Sequence, residues 1–471
     1  MHKDYTNFRK LLDTGDANCV DTVRGFLEKI ENEMHLNSFI ETWGEEALQR
    51  ASEIDQKIQN RTAGKLAGMV IALKDNICYQ GHKVSASSHI LEGFESQYSS
   101  TVVQRILDED AILIGRTNCD EFAMGASNET SYYGPVLNAL DNSRVPGGSS
   151  GGATVAVQAG LCHAAIGSDT GGSIRQPASF CGVVGLKPSY GRISRWGLLA
   201  YASSFDQIGP LTNNVEDAAL LLQVISGTDD HDATVSTLPV DNYTLSDENS
   251  PKKIAYLKEC FGEGVDEEIK HQLYALFELM KAAGHTIEEV SFPYLDYLVP
   301  AYYVLTTAEA SSNLSRYQGL QLGYRTAEKG DLDMLFKKSR SEGFGKEVKR
   351  RIMLGTFVLT SDFYDAYYSK AQKVRRLIRQ KTDDILNTYD FILTPTTPTV
   401  AFKFGEKTQD PVAMYLADIF TVQANLSGHP AISVPGGKHS NGMPFGVQLM
   451  GKHFGEKKLL NFAKYLHNLA V

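Results

Sequence analysis

A chain of 471 residues, 42% hydrophobic and 22% charged, has the composition of a soluble globular protein and the length for a large buried core. Its 56 acidic against 46 basic residues give a formal net charge of −10, which argues against a strong binder of nucleic-acid backbone, since that needs a basic surface. The six cysteines (Cys19, Cys78, Cys119, Cys162, Cys181 and Cys260) form no C-x-x-C pair, the start of the chain has no secretory signal, and no apolar run reaches the roughly 18 residues of a membrane span; reduced thiols and a cytoplasmic location away from membranes are the expectation.

Residues 1–60 are polar and amphipathic, with helical spacing at Leu11-Leu12 and from Val20 through Phe26, Leu27 and Ile30. From Gly68 onward short apolar runs alternate with Gly, Asn, Asp and Ser. Strands are expected at Met69–Leu73, Ala111–Ile114, Ala164–Ile166 and Phe391–Leu393, and helices at Thr101–Asp108, Ala153–Ala159, Ala218–Ile225 and Ser369–Leu386. The polar stretch 227–251 reads as an exposed excursion. Two further strands, Ala431–Pro435 and Phe445–Met450, precede a closing helix at Lys457–Leu469. This alternation predicts an α/β layered fold around a largely buried sheet.

Two glycine-framed serine segments carry the chemistry: Gly147-Gly148-Ser149-Ser150-Gly151-Gly152 and Asp169-Thr170-Gly171-Gly172-Ser173-Ile174-Arg175. Alone, either is explained as a flexible or closely approached loop. Neither has the Gly-Lys-Ser/Thr ending of a P-loop or the G-x-G-x-x-G spacing. The first runs into Ala153-Thr154-Val155-Ala156-Val157 and is predicted to open a helix, whose N-terminus suits a developing anion. In the second, the N–H groups of Thr170, Gly171, Gly172 and Ser173 are candidates for an oxyanion hole, worth roughly 3–4 kcal/mol for one donor.

A serine hydroxyl needs a base. No histidine stands beside either loop, and His163, in an apolar run, reads as a core residue. Lys74, which ends the apolar run Ile71-Ala72-Leu73, is the candidate base of a Ser–Lys arrangement. Its pKa, ordinarily near 10.4, must then fall by roughly 3 through burial. The competing reading pairs Lys74 with Asp75.

Lys74 in its Ile-Ala-Leu-Lys-Asp-Asn context, the 147–152 loop and the stretch from Gly167 to Arg192 resemble the amidase signature family, and the likeness extends from about residue 20 to the end. The resemblance implies a single α/β/α domain over 1–471, with a helical N-terminal segment at about 1–60 and a mixed, twisted sheet covered by helices on both faces. It implies Ser173 as acyl-ester nucleophile, Ser149 as bridging serine after a cis peptide at Gly148–Ser149, and Lys74 as base.

Within that family Thr117–Gly125, Ala308–Tyr317, Glu347–Thr356 and Ala424–Ala431 are similar to the glutamine-hydrolysing subunits of tRNA-dependent amidotransferases. That likeness implies glutamine as substrate, ammonia as product, and B and C partner subunits in a heterotrimer. The acceptor would be Glu on tRNA(Gln), with Asp on tRNA(Asn) as an addition, and tRNA would be met mainly through a partner. No cofactor or metal is expected in this chain; ATP and Mg belong to the partner subunit. Glutamine's α-carboxylate and ammonium call for one fixed Arg and one fixed carboxylate. By resemblance these are Arg351 and Asp418, supported by Tyr302 or its neighbour Tyr303, with the Met124-Gly125 backbone lining the acyl pocket. Arg351 also reads as part of a solvated basic stripe with Lys346, Lys349 and Arg350, and Asp418 as a local cap or pair. Cys119 and Ala126 depart from the family's usual residues. Two alternatives stay open: a stand-alone amidase for another small amide, and a non-catalytic scaffold subunit.

Overall fold

The computed structural model describes residues 3–246, 250–407 and 410–470. Eleven strands form one mixed sheet: β1 Phe39–Thr42, β2 Val70–Lys74, β3 Ile112–Thr117, β4 Ala164–Asp169, β5 Val184–Lys187, β6 Gln207–Thr212, β7 Lys253–Leu257, β8 Thr286–Val290, β9 Phe391–Pro395, β10 Ala431–Lys438 and β11 Pro444–Met450. Their order across the sheet is β1-β3-β2-β4-β6-β5-β10-β11-β9-β7-β8. The pairs β2–β3, β2–β4, β7–β8 and β7–β9 are parallel; the remaining pairs are antiparallel. Helices cover both faces.

The central strands explain why their sequences read as apolar runs. Every residue of β2, β3 and β4 is buried, as expected of parallel strands packed on both faces. The expected helices are present, with bounds moved by a few residues: Thr101–Asp108, Gly151–Gln158, Val215–Ile225, Lys370–Thr388 and Glu456–Ala470. Several start where a side chain accepts from a first-turn N–H, among them Ser100 and Asn214. The 1–60 segment is helical at Tyr5–Thr14, Cys19–Asn32 and Gly44–Gln59, but it also contributes β1, which pairs antiparallel with β3 at the sheet edge. Residues 227–246 run without helix or strand, as the polar composition predicts, while 247–249 lie outside the described residues. All six cysteines are buried free thiols. His163 is a core histidine, its Nδ1 accepting from Val70 N–H at 3.1 Å and its ring stacked on Phe8. Among the described residues no helix is long and apolar enough to cross a membrane.

Two parallel neighbours, β2 and β4, place the site. β2 ends on Lys74 and β4 on Asp169, so the expected base and the loop of the expected nucleophile leave the sheet at the same carboxyl edge. Open α/β sheets bind ligands at such edges. The Gly151–Gln158 helix packs over both strands and carries Ser149 and Ser150 at its start. Its close approach depends on Gly152, where a Cβ would lie 2.4 Å from Asn118 O and 2.5 Å from Ser38 O. Alanine is favoured over glycine in a helix by about 1 kcal/mol, but overpacking against backbone costs about 1–3 kcal/mol. Gly152→Ala is therefore expected to lower stability on balance. An unchanged or raised urea midpoint would show that the helix has room to move.

Candidate active site

Lys74 is fully buried, and its Nζ lies 2.7 Å from Ser149 Oγ, 3.0 Å from Ser150 Oγ and 2.9 Å from Ser168 Oγ. Burial lowers its pKa to about 8, against the pull of Cys119, Asp120, Asp169 and Asp206. The competing pairing with Asp75 is not what forms. Asp75 accepts from Arg116 Nη1 at 2.7 Å and from the Ser85 hydroxyl and Ser87 N–H, which leaves Lys74 free of an ion pair with it.

The three hydroxyls around Lys74 are not equivalent. Ser150 Oγ donates to Ser168 O at 3.1 Å, and Ser168 Oγ accepts from Asn76 Nδ2 at 2.9 Å. A neutral amine donating to Ser150 and Ser168 keeps its lone pair for the proton of Ser149. Sequence reasoning does not single out Ser150, Ser168 or Asn76. Ser150 adjoins Ser149 and Asn76 lies two residues past Lys74, but only folding brings their polar ends together. The Gly148–Ser149 peptide is cis, as the family resemblance implies.

Ser173 is buried, and its carbonyl accepts from Ser150 N–H at 3.1 Å, which ties the two serine loops together. Asp169 straps the second loop from within. Its Oδ1 accepts from Gly172 N–H at 2.9 Å and its Oδ2 from Ile174 N–H at 3.2 Å. Gly172 is thus a correction to the expected oxyanion set, because its N–H is already engaged by a carboxylate. Among the described residues no acceptor takes the N–H of Thr170, Gly171 or Ser173, and these three are left for a substrate oxygen. The Thr170 hydroxyl donates to Asp206 at 2.7 Å. Burial pushes the Asp169 carboxyl up, but Arg175 and Asn425 overcome it and hold the pKa at about 2. Arg175 itself is fully buried and donates to both Asp169 oxygens, Thr421 O, Asn425 Oδ1 and Gln448 Oε1.

A cavity of about 390 Å³ is lined by Gly125, Arg351, Glu347 and Tyr415 among others, and not by Lys74, Ser149 or Ser173. It brings together two of the expected substrate residues. Of the Met124-Gly125 pair, Gly125 lines the cavity; the expectation for Met124 concerns its backbone, and its side chain is buried in the hydrophobic core. Arg351 is not part of a solvated stripe. It is buried, with Nε donating to Glu347 at 2.9 Å and Nη1 to Tyr201 Oη at 3.0 Å. The Tyr415 hydroxyl also donates to Glu347, so that carboxylate is an orienting group. Tyr302 and Tyr303 divide the space. A Cβ on Gly171 would lie 2.5 Å from Tyr302 Oη, so Tyr302 covers the nucleophile loop. Tyr303 stacks on Tyr415 and lies 5.1 Å from the Arg351 guanidinium carbon.

Asp418 is buried, and its Oδ1 has no hydrogen-bond partner among the described residues. Burial and Asp169 push its carboxyl well above the usual range, against Arg351 and Arg175. A buried oxygen left unmatched is costly for folding alone, which makes Asp418 a candidate ligand position. Thr421 joins Asp418 to the nucleophile loop: its hydroxyl lies 2.6 Å from Gly171 O and 2.9 Å from Asp418 O. Sequence reasoning missed Tyr201, Glu347, Tyr415 and Thr421 as organisers: Tyr201, Tyr415 and Thr421 act through partners far along the chain, and Glu347 sits four residues from Arg351 in what reads as an exposed helix face.

Comparison with known proteins shows the family. The sequence profile of the family described as Amidase matches residues 21–460. The A subunit of a glutamyl-tRNA(Gln) amidotransferase from Salinibacter ruber is 47% identical, over 97% of this chain and 98% of the relative. Its counterpart from Chlorobium phaeobacteroides is 48% identical, over 100% of both. The crystal structure of the glutamyl-tRNA(Gln) amidotransferase A subunit from Thermotoga maritima superposes with a TM-score of 0.78 at 41% identity, covering 94% of this chain and 89% of that one. A peptide amidase from Stenotrophomonas maltophilia has a TM-score of 0.83 at 27% identity, covering 99% and 96%. The chain belongs to the amidase family, among the glutamyl-tRNA(Gln) amidotransferase A subunits that it matches along its length.

Proposed function

We propose that this chain is the glutamine-hydrolysing subunit of a tRNA-dependent amidotransferase and works through a Lys74–Ser149–Ser173 relay. The observation that carries the reading is a fully buried lysine 2.7 Å from Ser149, with its pKa drawn down to about 8 and two neighbouring hydroxyls holding its N–H groups. Neutral Lys74 takes the proton of Ser149, and Ser149 takes that of Ser173. Ser173 Oγ attacks the side-chain amide carbon of glutamine, and the oxyanion is held by the N–H groups of Thr170, Gly171 and Ser173. The proton returns through Ser149 to the leaving ammonia. Water then cleaves the γ-glutamyl ester, with the same relay acting as base.

Arg351 takes the α-carboxylate and Asp418 the ammonium of glutamine, with Tyr302 over the acyl end. The unmatched Asp418 Oδ1 and the orientation of Arg351 by Glu347 and Tyr201 support this assignment. A charged amino-acid end group suits this pair better than an apolar amide does, which disfavours a stand-alone amidase for other small amides. The presence of Lys74, Ser149 and Ser173, with Lys74 seated on Ser149, disfavours a scaffold without activity.

Relatives that bear the name of an A subunit imply partner subunits. We assign these as B and C subunits in a heterotrimer, working in the cytoplasm. Ammonia would pass to the B subunit for amidation of Glu-tRNA(Gln), and of Asp-tRNA(Asn) where that acceptor is used. ATP and Mg are assigned to that partner, because hydrolysis through a serine ester needs neither. tRNA contact is assigned mainly to the partner as well, in keeping with the net charge of −10.

Ser173→Ala is expected to abolish ammonia release from glutamine, by at least about 10³-fold, with the fold kept. Release at the parent rate would refute the nucleophile. The base leaves its own signature. Lys74 acts when neutral, so kcat should rise about tenfold per pH unit below its pKa and level off above about 8. A rate independent of pH across that range would remove Lys74 as the base.

A further inference from the structure

Glu121 is a buried carboxylate that the relay does not use. It sits in the turn directly after Asp120 and lines the same cavity as Gly125 and Arg351. Both of its oxygens accept from the N–H of Gly345, at 3.0 and 2.9 Å, and Oε1 also accepts from the Ser88 hydroxyl. Gly345 is the residue before the Lys346–Val358 helix, the helix that carries Glu347 and Arg351. A glycine has no side chain with which to cap that helix, and none does so locally. The anion is supplied instead from 224 residues away, at the helix end where it is most favourable.

The neighbouring contacts reinforce this attachment. Phe122 and Phe344 lie with ring centroids 5.7 Å apart, and Ser88 Oγ also lies 3.3 Å from Gly343 O. Gly345 leaves no space between helix and carboxylate: a Cβ there would lie 2.2 Å from Glu121 Oε2. Burial pushes the Glu121 carboxyl up to about 7, with Ser88, Gly345 and Lys349 opposing. It is therefore chiefly anionic where Lys74 is chiefly neutral.

We propose that Glu121 is a positioning residue for substrate: by clamping the start of the 346–358 helix to the turn that leads into Gly125, it fixes the distance between Arg351 and the acyl pocket. The clamp sets how well one glutamine spans both ends of the site. This rests on the reading of Arg351 as the ligand of the α-carboxylate.

The test is steady-state glutamine hydrolysis by the full chain purified with its partner subunits. Glu121→Ala and Gly345→Ala are expected to raise KM about tenfold, the worth of one charge-assisted contact, while kcat stays within about twofold. Glu121→Gln, whose carbonyl still accepts from Gly345, should stay within about threefold of the parent KM. A role in stability alone would lower the active fraction and leave KM unchanged. An unchanged KM in Glu121→Ala, or a loss confined to kcat, overturns the proposal. If Glu121→Ala does not fold, Gly345→Ala decides, since it keeps the carboxylate and displaces it. Arg351→Ala separates the two layers. An unchanged KM there refutes the substrate reading, whereas a raised KM there with parent values in the other variants refutes only the clamp.

Discussion

The site depends on a carboxylate and a guanidinium held together without water. Asp169 and Arg175 are both fully buried, six residues apart, and joined by two hydrogen bonds. Burying such a pair is costly unless every remaining donor is satisfied. Here the remaining donors of Arg175 go to Thr421, Asn425 and Gln448, and Asp169 takes two backbone N–H groups of its own loop. The pair thus does two things at once. It bends the 170–174 loop so that Gly171 and Ser173 keep free N–H groups, and it draws the C-terminal third of the chain onto that loop. Breaking it by removing one partner leaves an uncompensated charge, which costs about 3–5 kcal/mol in comparable settings.

Lys74 obeys the opposite logic. Among the described residues no acid pairs with it, and burial works against its charge. A lysine in water is a poor base near neutral pH because it is almost wholly protonated. The sheet interior brings its pKa to about 8, and three hydroxyls replace the water it loses. One ion pair is thus made permanent to shape the loop, and one lysine is left without a carboxylate partner, as the proposed base requires. Arg116 keeps the two arrangements apart, since it takes the carboxylate of Asp75 that would otherwise claim Lys74.

The sequence makes the relay legible because its residues sit in short, dense motifs: a lysine at the end of an apolar strand and two serines among glycines. The buried strands β2, β3, β4 and β9 are legible for the same reason, as unbroken apolar runs. β1 is not, being four residues at the sheet edge with Glu41 and Thr42 in it. What sequence cannot supply is which polar atom meets which. Gly172 looks identical to Gly171 as an oxyanion donor until Asp169 takes its N–H. The basic stripe conceals that Arg351 turns inward while Lys349 turns outward. Tyr302 and Tyr303 are adjacent letters that face different ends of one site. Gly172 is decided by a carboxylate three residues back, Arg351 and the two tyrosines by contacts with residues far away in the chain.

A fold shared with a peptide amidase leaves the substrate open, and in the proposed reading the buried Arg351 and Asp418 narrow it. The central claim is that glutamine passes through an ester on Ser173. Acid quenching during turnover with glutamine, followed by peptide mass spectrometry, tests it directly. A γ-glutamyl adduct on the peptide containing Ser173, absent without glutamine, is expected. An adduct on another residue, or turnover without any adduct on Ser173 when deacylation is slowed, would contradict it.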